Sequence, residues 1–223
     1  MKILNIKVTD YNDKTIEIDF VDPLAGMFMP CVIVGPNGSG KTRILDAIYS
    51  VFYHTVDYVK FSIVGVKCIE ATVEINDVEL TIVIDYQVGS IQRTIDSSTF
   101  AYLIDDNESN LDYFPHLGNN IAPLKLLYGI KKVFVNPTYS DESNGEYGYT
   151  SICKELDIVE KNDIVLMDCP ENYGLDSARQ RMLVHRLIQM SRKGTQVIIA
   201  SNSMEIIRCF RGNSIKSLRY GAT

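Results

Sequence analysis

The stretch CVIVGPNGSGKTRILDAIY, residues 31–49, constrains the fold of this chain more than any other part of the sequence. Within it, GPNGSGKT matches the phosphate-binding loop pattern GxxxxGK[ST] at every fixed position. The apolar run from Cys31 to Val34 is rich in β-branched residues and predicts a strand buried in a parallel sheet, and residues 43–53 place apolar side chains at helical spacing. The glycines therefore lie on the strand-to-helix turn that this motif requires.

The residue types of the loop suit the binding of a phosphate group. Glycines let the backbone take positive φ angles and approach a phosphate closely, and the N–H groups and dipole of the following helix face the anion. We expect Lys41 to reach the β- and γ-phosphates and Thr42 to ligate Mg²⁺. A glycine-rich turn that merely connects two elements is the alternative, and the full motif in this context leaves it little room. The predicted nucleotide-binding residues are Gly35, Pro36, Asn37, Gly38, Ser39, Gly40, Lys41, Thr42 and Arg43.

Composition limits the class of protein. The chain has 223 residues, of which 46% are hydrophobic and 22% charged, as is usual for one compact globular domain. The net charge of −6 provides no global basic field for nucleic acid or an acidic membrane surface, although a local patch stays open. The N-terminus lacks the apolar core of a signal peptide, and no stretch approaches about 18 apolar residues, so we expect a soluble cytoplasmic protein without a membrane span. The five cysteines form no CxxC pair, and we expect reduced, separately buried thiols and no zinc site.

The remaining patterns predict one domain, residues 1–223, with a second β region. Apolar and polar residues alternate in 2–8 and in 15–20, which predicts a β-hairpin. Residues 60–95 again have a strand-like pattern, with the strands separated by turns at Asn-Asp and Val-Gly. We therefore assign 1–30 and 60–96 to an antiparallel β lobe. The polar segment 105–120 is predicted to be a surface loop, and 131–135 a short strand.

A second informative stretch is DIVLMDCPENYGLD, residues 163–176. Its apolar strand ends in Asp168, where a phosphate-loop enzyme places the carboxylate that holds the Mg²⁺ shell. An apolar run that ends in Asp is weak evidence alone, and its neighbours strengthen it. The segment ESNGE precedes a helix-like stretch at 149–160, and a predicted helix at 178–190 leads to the strand TQVIIASNS.

The order GPNGSGKT, SNGE, an apolar strand with DCPEN and GLD, and a strand with ASNS resembles an ABC-type ATPase head of the SMC, RecF and OLD-like group. The resemblance covers nearly the whole chain and is least clear at 55–130. It implies an α/β P-loop NTPase fold, with a mostly parallel core sheet flanked by helices and an antiparallel β lobe. ATP and Mg²⁺ are the implied cofactors.

The resemblance also implies a head-to-tail homodimer with two ATP molecules sandwiched at its interface. Leu175 and Asp176 stand at the family's D-loop, and Gln87 and Gln92 are candidates for the glutamine that links the metal to the middle lobe. The family's signature motif contacts the γ-phosphate of ATP held by the opposite subunit, although SNGE on its own is also a common polar turn. The residues at that motif are Ser143, Asn144, Gly145 and Glu146.

Two departures from the family concern hydrolysis. The family places Glu directly after the strand Asp, as general base, and this chain has Cys169. The family places His at the end of the last strand, where it senses the γ-phosphate, and this chain has Asn202. Glu171 either compensates for the missing base, or ATP is bound firmly and hydrolysed slowly. We favour slow hydrolysis.

The biological role follows from the resemblance alone. The absence of heptads excludes a coiled-coil DNA organiser, and no transporter-type coupling region is evident. Compact OLD-like ATPases work beside a separate effector, commonly a nuclease, in bacterial or phage conflict systems such as antiviral defence. We expect an ATP-switched dimer that scaffolds or licenses such a partner. A DNA-repair head that acts on DNA directly and a transporter's nucleotide-binding subunit are the alternatives, and an adjacent nuclease, recombination or membrane-span gene would separate the three.

Overall fold

The computed structural model describes residues 2–21, 30–52, 65–75, 77–87, 90–95, 98–103, 124–126 and 144–218. The chain divides into two compact units. Residues 1–23, 42–122 and 220–223 form the first, and residues 24–41 and 123–219 form the second.

The first unit contains a six-stranded antiparallel sheet, in the order β2-β1-β4-β5-β6-β7. The predicted hairpin of β1 and β2 is confirmed, and its turn is closed by the Asp10 carboxylate, which accepts hydrogen bonds from the N–H groups of Asn12 and Lys14. The sheet continues past residue 96 into β7, which the sequence analysis missed because no Gly or Pro marks the turn after β6. The strands are β1 (Lys2–Asp10), β2 (Thr15–Asp19), β4 (Val66–Ile75), β5 (Val78–Gln87), β6 (Ser90–Ile95) and β7 (Ser98–Leu103).

The second unit is built on a five-stranded parallel sheet, in the order β11-β3-β10-β9-β8. Every residue of β9 and β10 is buried, as expected for strands covered on both faces, which explains their continuous apolar runs. Neighbours in this sheet are far apart in the chain, so helices and loops connect them. The strands are β3 (Cys31–Val34), β8 (Leu124–Leu126), β9 (Ile164–Asp168), β10 (Gln196–Ala200) and β11 (Ile215–Ser217).

Helix α1 (Lys41–Phe52) follows β3, and the helices after it in the chain pack on the parallel sheet. α2 (Asn144–Asp157) begins before the predicted start at 149, and α3 (Ser177–Arg192) matches the predicted helix to within two residues at each end. α4 (Met204–Ile207) follows β10, and 3₁₀ turns occupy Pro170–Tyr173 and Gly212–Ser214. The core of this unit combines apolar side chains of α2, α3 and the strands: Ile152, Leu156, Val165, Met167, Leu183, Val184, Leu187, Val197 and Ile199.

Several predictions from the sequence are confirmed only in part or concern residues that the structure does not describe. The predicted strand at 131–135 and the loop at 105–120 lie outside the described residues. None of the five cysteines, all of which lie in the described residues, forms a disulfide bond; only Cys31 is buried, and the other four are partly exposed, which corrects the expectation that all five are buried. Burial raises the pKa of Cys31 to about 12, so its side chain packs as a neutral group. Among the described helices, none is long and apolar enough to cross a membrane.

Candidate nucleotide-binding site

The loop after β3 has the backbone that GPNGSGKT predicts. Gly38 and Gly40 adopt φ angles of 79° and 94°, in the left-handed region that residues with a Cβ atom rarely enter. A Cβ atom at Gly35 would lie 2.6 Å from Ser39 Oγ and 2.8 Å from the Leu218 carbonyl oxygen, too close for any side chain. The glycines therefore permit both the conformation of the loop and its close packing.

Lys41 lies over this loop. Its Nζ atom donates hydrogen bonds to the carbonyl oxygens of Gly35, at 2.7 Å, and Pro36, at 3.0 Å, and the residue is only 6% exposed. The nearby Ser39 Oγ atom is buried and has no hydrogen-bond partner within the described part of the chain. A buried hydroxyl without a partner is costly, so the loop that carries the Lys41 charge also contains an unused polar group. Both suit an anion with several oxygens.

The helix after the loop is α1 (Lys41–Phe52). Thr42 follows Lys41 in its first turn, and the predicted apolar face is confirmed by five fully buried side chains. Arg43 is half-buried, and its guanidinium would lie about 4.0 Å from a Cβ atom added at Gly65. The pKa of Asp10 is lowered by the hydrogen bond from the Lys14 N–H, and also by the Arg43 charge. The buried residues are Ile44, Leu45, Ala47, Ile48 and Val51.

Asp168 lies at the same edge of the parallel sheet as the loop. Its register partner in β10 is Ala200, which also pairs with Ile33 of β3. The carboxyl ends of three neighbouring strands thus meet where the loop begins. Asp168 is 2% exposed, and a carboxylate buried to this degree requires compensating charge or hydrogen bonds.

Cys169 turns the chain sharply after Asp168. Its φ and ψ angles of 46° and 56° are left-handed, a strained conformation for a residue other than glycine. Its N–H donates to the Ala200 carbonyl oxygen at 2.8 Å, and its own carbonyl oxygen accepts from the Asn172 N–H at 2.9 Å. The bond to Ala200 attaches this turn to the end of β10.

Glu171, in the 3₁₀ turn, points at residues 201–203, which we call the post-β10 turn. Its Oε2 atom accepts a hydrogen bond from Ser201 Oγ at 2.9 Å, and its Oε1 atom accepts one from the Asn202 N–H at 3.0 Å. Both carboxylate oxygens are therefore engaged with this turn.

Asn202 connects the post-β10 turn to the phosphate-loop motif. Its side-chain Nδ2 atom donates to Asn37 Oδ1 at 2.7 Å. The structure thus brings together three residues that the sequence placed in separate motifs, Glu171, Asn202 and Asn37. Ser201, a fully buried serine directly after β10, was not among the predicted site residues, although the polar run ASNS was an available signal.

The residues of the predicted dimer contact are described in part. Asn144, Gly145 and Glu146 form the first turn of α2, while Ser143 lies outside the described residues. Leu175 is 5% exposed and belongs to the core.

The other D-loop residue, Asp176, caps α3 by accepting the Arg179 N–H at 2.8 Å. Gln87 and Gln92, the candidates for the metal-linking glutamine, lie in β5 and β6 of the antiparallel sheet.

Comparison with known proteins identifies the fold. No family model matches the chain. A protein of Caldanaerobacter subterraneus subsp. tengcongensis, named as an ABC transporter ATP-binding protein, is 26% identical over 181 residues, which cover 80% of this chain and 71% of that protein. The SMC head domain of Thermotoga maritima has a TM-score of 0.59 at 17% identity, with 93% of this chain and 92% of that chain covered. An SMC head bound to the C-terminal winged-helix domain of ScpA gives 0.58 at 16% identity, with 93% and 91% covered.

These structural matches confirm the predicted α/β P-loop architecture, with its parallel core sheet and antiparallel β region. This chain therefore has the fold of an SMC head domain.

Proposed function

We propose that this chain binds ATP and Mg²⁺ at the loop of residues 35–42 and hydrolyses the ATP slowly. The observation that carries the proposal is the loop itself. Lys41 is held over the carbonyl oxygens of Gly35 and Pro36, beside the buried Ser39 hydroxyl without a partner. A phosphate chain would accept hydrogen bonds from both groups, and the helix start supplies further N–H donors.

Thr42 and Asp168 are the proposed magnesium ligands. Hydroxyl and carboxylate oxygens are the donors that Mg²⁺ prefers, and this ion is usually held by one or two protein oxygens together with phosphates and water. The described residues contain no cluster of three or more His, Cys, Asp or Glu, which agrees with such a sparse site. Thr42 and Asp168 would hold the ion next to the phosphates, and its charge would stabilise the negative charge that develops on them during hydrolysis.

Slow hydrolysis is supported by the surroundings of Cys169 and Glu171. The position after Asp168 carries a thiol in place of the family's carboxylate. Glu171 uses both of its oxygens to hold Ser201 and Asn202, so acting as a base on water would require it to give up one of these bonds. Apart from Asp168, which is the proposed magnesium ligand, the carboxylate that follows β9 is therefore already engaged in hydrogen bonds.

We further propose that ATP closes a head-to-tail homodimer. Asn144 to Glu146 lie at the start of α2, where backbone N–H groups suit the γ-phosphate of a nucleotide on the partner subunit. The dimer would then present an ATP-controlled surface to a separate effector, such as a nuclease of a conflict system. Support for the effector is the family resemblance alone.

Two further roles have one observation each in their favour. The likeness to SMC heads favours a head that acts on DNA, although the net charge of −6 offers no general attraction to it. The 26% identical relative named as a transporter ATP-binding protein favours a nucleotide-binding subunit of a transporter. Purification from the native host, with mass spectrometry of co-purifying proteins, distinguishes a nuclease from a recombination protein or a membrane protein.

The nucleotide site is tested by Lys41→Ala. We expect the variant to lose measurable ATP binding, because Lys41 is the side-chain cation that GPNGSGKT offers to the phosphates. Its present partners are two loop carbonyl oxygens that water can satisfy, so the fold should remain. Titration calorimetry with ATP and Mg²⁺ measures the affinity, and circular dichroism checks the fold. Lys161→Ala removes an exposed lysine of the same unit and should bind ATP like the wild type. Wild-type affinity in Lys41→Ala would contradict the assignment.

A further inference from the structure

The post-β10 turn is held by a second side chain besides Glu171. Gln180, the fourth residue of α3, accepts at its Oε1 atom a hydrogen bond from Ser203 Oγ at 2.5 Å. Its Nε2 atom donates to the Leu175 carbonyl oxygen at 2.7 Å. One amide thus bridges the post-β10 turn and the segment that leads into α3.

The chemistry of the partners determines how this amide is oriented. A carbonyl oxygen can only accept, so the amide nitrogen must face Leu175. The amide oxygen then faces Ser203, whose hydroxyl must donate. The bridge therefore has one arrangement that satisfies every group. Turning the amide over would place its oxygen against the Leu175 carbonyl oxygen and lose that bond, and only the contact with Ser203, whose hydroxyl can also accept, would survive.

Ser203 uses its hydroxyl unusually. It occupies the N-cap position of α4, where a serine normally accepts a hydrogen bond from a helix N–H, yet no such bond is present. Its hydroxyl is committed to Gln180, while its own N–H donates to Ser201 Oγ at 3.0 Å.

The far end of the bridge is rigid. Leu175 is 5% exposed and packs in the hydrophobic core, and Asp176 caps α3. Asn202, by contrast, is exposed and reaches Asn37 through a single side-chain hydrogen bond. The position of an exposed side chain depends on the backbone that carries it, and the backbone of the post-β10 turn is attached to the core through Glu171 on one side and Gln180 on the other.

We propose that Gln180 is a positioning residue that holds Asn202 against the phosphate-loop motif. It acts through Ser203, and it touches neither Asn202 nor Asn37 in the hydrogen bonds described. The proposal builds on the ATPase function proposed above for its kinetic consequence, but its structural part stands on this bridge alone.

The first test needs no nucleotide. The variants are Gln180→Leu and Ser203→Ala, which remove the bridge from either end, and Ser203→Thr, which keeps a hydroxyl and serves as the matched control. Nuclear magnetic resonance follows the side-chain amide of Asn202, identified by its loss in Asn202→Asp. In the wild type and in Ser203→Thr we expect an amide protected by its bond to Asn37. In the other two variants its signals should move toward those of a solvent-exposed asparagine, with faster exchange. An Asn202 amide unchanged in both would overturn the proposal.

The second test separates positioning from simple structural support. In Gln180→Leu and Ser203→Ala, kcat for ATP should fall about two- to tenfold, the equivalent of one ordinary hydrogen bond, while KM stays near the wild-type value. The double variant should fall no further than either single variant, because both remove the same bond. Additive losses, or an equal loss in Ser203→Thr, would contradict the bridge. A wild type that fails to bind ATP would refute the proposed function, and the resonance experiment would still decide the role of Gln180.

Discussion

At the scale of single residues, Cys169 is the departure with the largest expected effect on chemistry. It lies directly after the buried Asp168, in a left-handed turn tied to the end of β10. By resemblance, this is where the family carries its general base. A positioned base contributes about 10²–10⁴-fold to rate, and a thiol is a poor substitute for a carboxylate in that role.

Cys169→Glu should therefore accelerate ATP hydrolysis by about tenfold or more. The gain should stay below the full contribution of a positioned base, because Asn202 still occupies the place of the family's His. The backbone cost should change little, because both residues carry a Cβ atom in the same left-handed conformation. Adding Asn202→His should raise the rate further and more than additively, since both groups would act on one transition state. Phosphate release at saturating ATP measures the rates.

The matched control is Cys169→Gln, which has the size of the glutamate without its basicity and should stay at the wild-type rate. Brisk wild-type turnover that Cys169→Glu leaves unchanged and Glu171→Gln abolishes would instead identify Glu171 as the base. Glu171→Gln also disturbs the bonds to Ser201 and Asn202, so Ser201→Ala must accompany it. If ATP hydrolysis is lost in Glu171→Gln but normal in Ser201→Ala, Glu171 acts as the base and does not merely anchor the post-β10 turn.

At the scale of secondary-structure elements, the start of α3 contributes to the stability of the fold and also connects two parts of the candidate site. Asp176 accepts the Arg179 N–H at 2.8 Å and pairs with the Arg179 guanidinium at 2.9 Å. These contacts order the chain between the 3₁₀ turn that carries Glu171 and the helix that carries Gln180. The cap is local in sequence, and its pattern, Asp before an amphipathic helix, is visible without the fold.

Removing this cap should lower the melting temperature. Asp176→Ala is expected to reduce Tm at pH 7 by about 2–4 °C. Asp176→Asn keeps a capping oxygen and should therefore lose only a small part of the cap's contribution to Tm. The pKa of Asp176 is lowered mainly by the hydrogen bond from the Arg179 N–H, so the folded state favours the carboxylate. This stabilisation is present above the unfolded pKa of about 3.9 and is lost as the pH falls through the lower folded value.

Thermal unfolding between pH 3 and pH 7, without nucleotide, checks both statements. The difference between wild type and Asp176→Ala should be full at pH 7 and shrink below about pH 4. A difference that stays constant down to pH 3 would show that the carboxylate charge contributes nothing to the cap.

At the scale of the whole molecule, the expected event is ATP-dependent association. Gly145 lies in the first turn of α2, where a partner's γ-phosphate would approach in the proposed dimer. Gly145→Arg should leave ATP binding to the single chain intact and block the dimer, because the added side chain fills the space for the phosphate. Arginine is also a better helix former than glycine, so the helix should persist. Light scattering with and without ATP and Mg²⁺ measures the mass.

The matched control is Glu155→Arg, which places the same side chain at an exposed position of the same helix. It should dimerise with ATP like the wild type. A Gly145→Arg variant that still forms a tight ATP-dependent dimer would show that residues 144–146 are only a helix start.

The sequence alone determined the local parts of this molecule. The glycine loop between an apolar strand and an amphipathic helix, the buried runs of β9 and β10, the first hairpin and α3 are all predicted by patterns within about 20 residues, because backbone sterics and side-chain periodicity act over short distances. The order of these motifs then indicated the fold. The start of α2 was missed because SNGE was interpreted as a polar turn before the helix, and strand β7 was missed because no Gly or Pro separates it from β6.

Only the tertiary structure decided which candidate residues act together. Glu171 meets Ser201 and Asn202, and Asn202 meets Asn37 across a separation of 165 residues. These contacts exist because β10 lies between β3 and β9 in a parallel sheet, so that the ends of three strands distant in sequence share one edge. Neither strand order nor the direction of an individual carboxylate is encoded in any local pattern, since both result from packing the whole unit around one core. The sequence therefore named Glu171 as a candidate base, and the packed sheet turned its carboxylate toward the post-β10 turn.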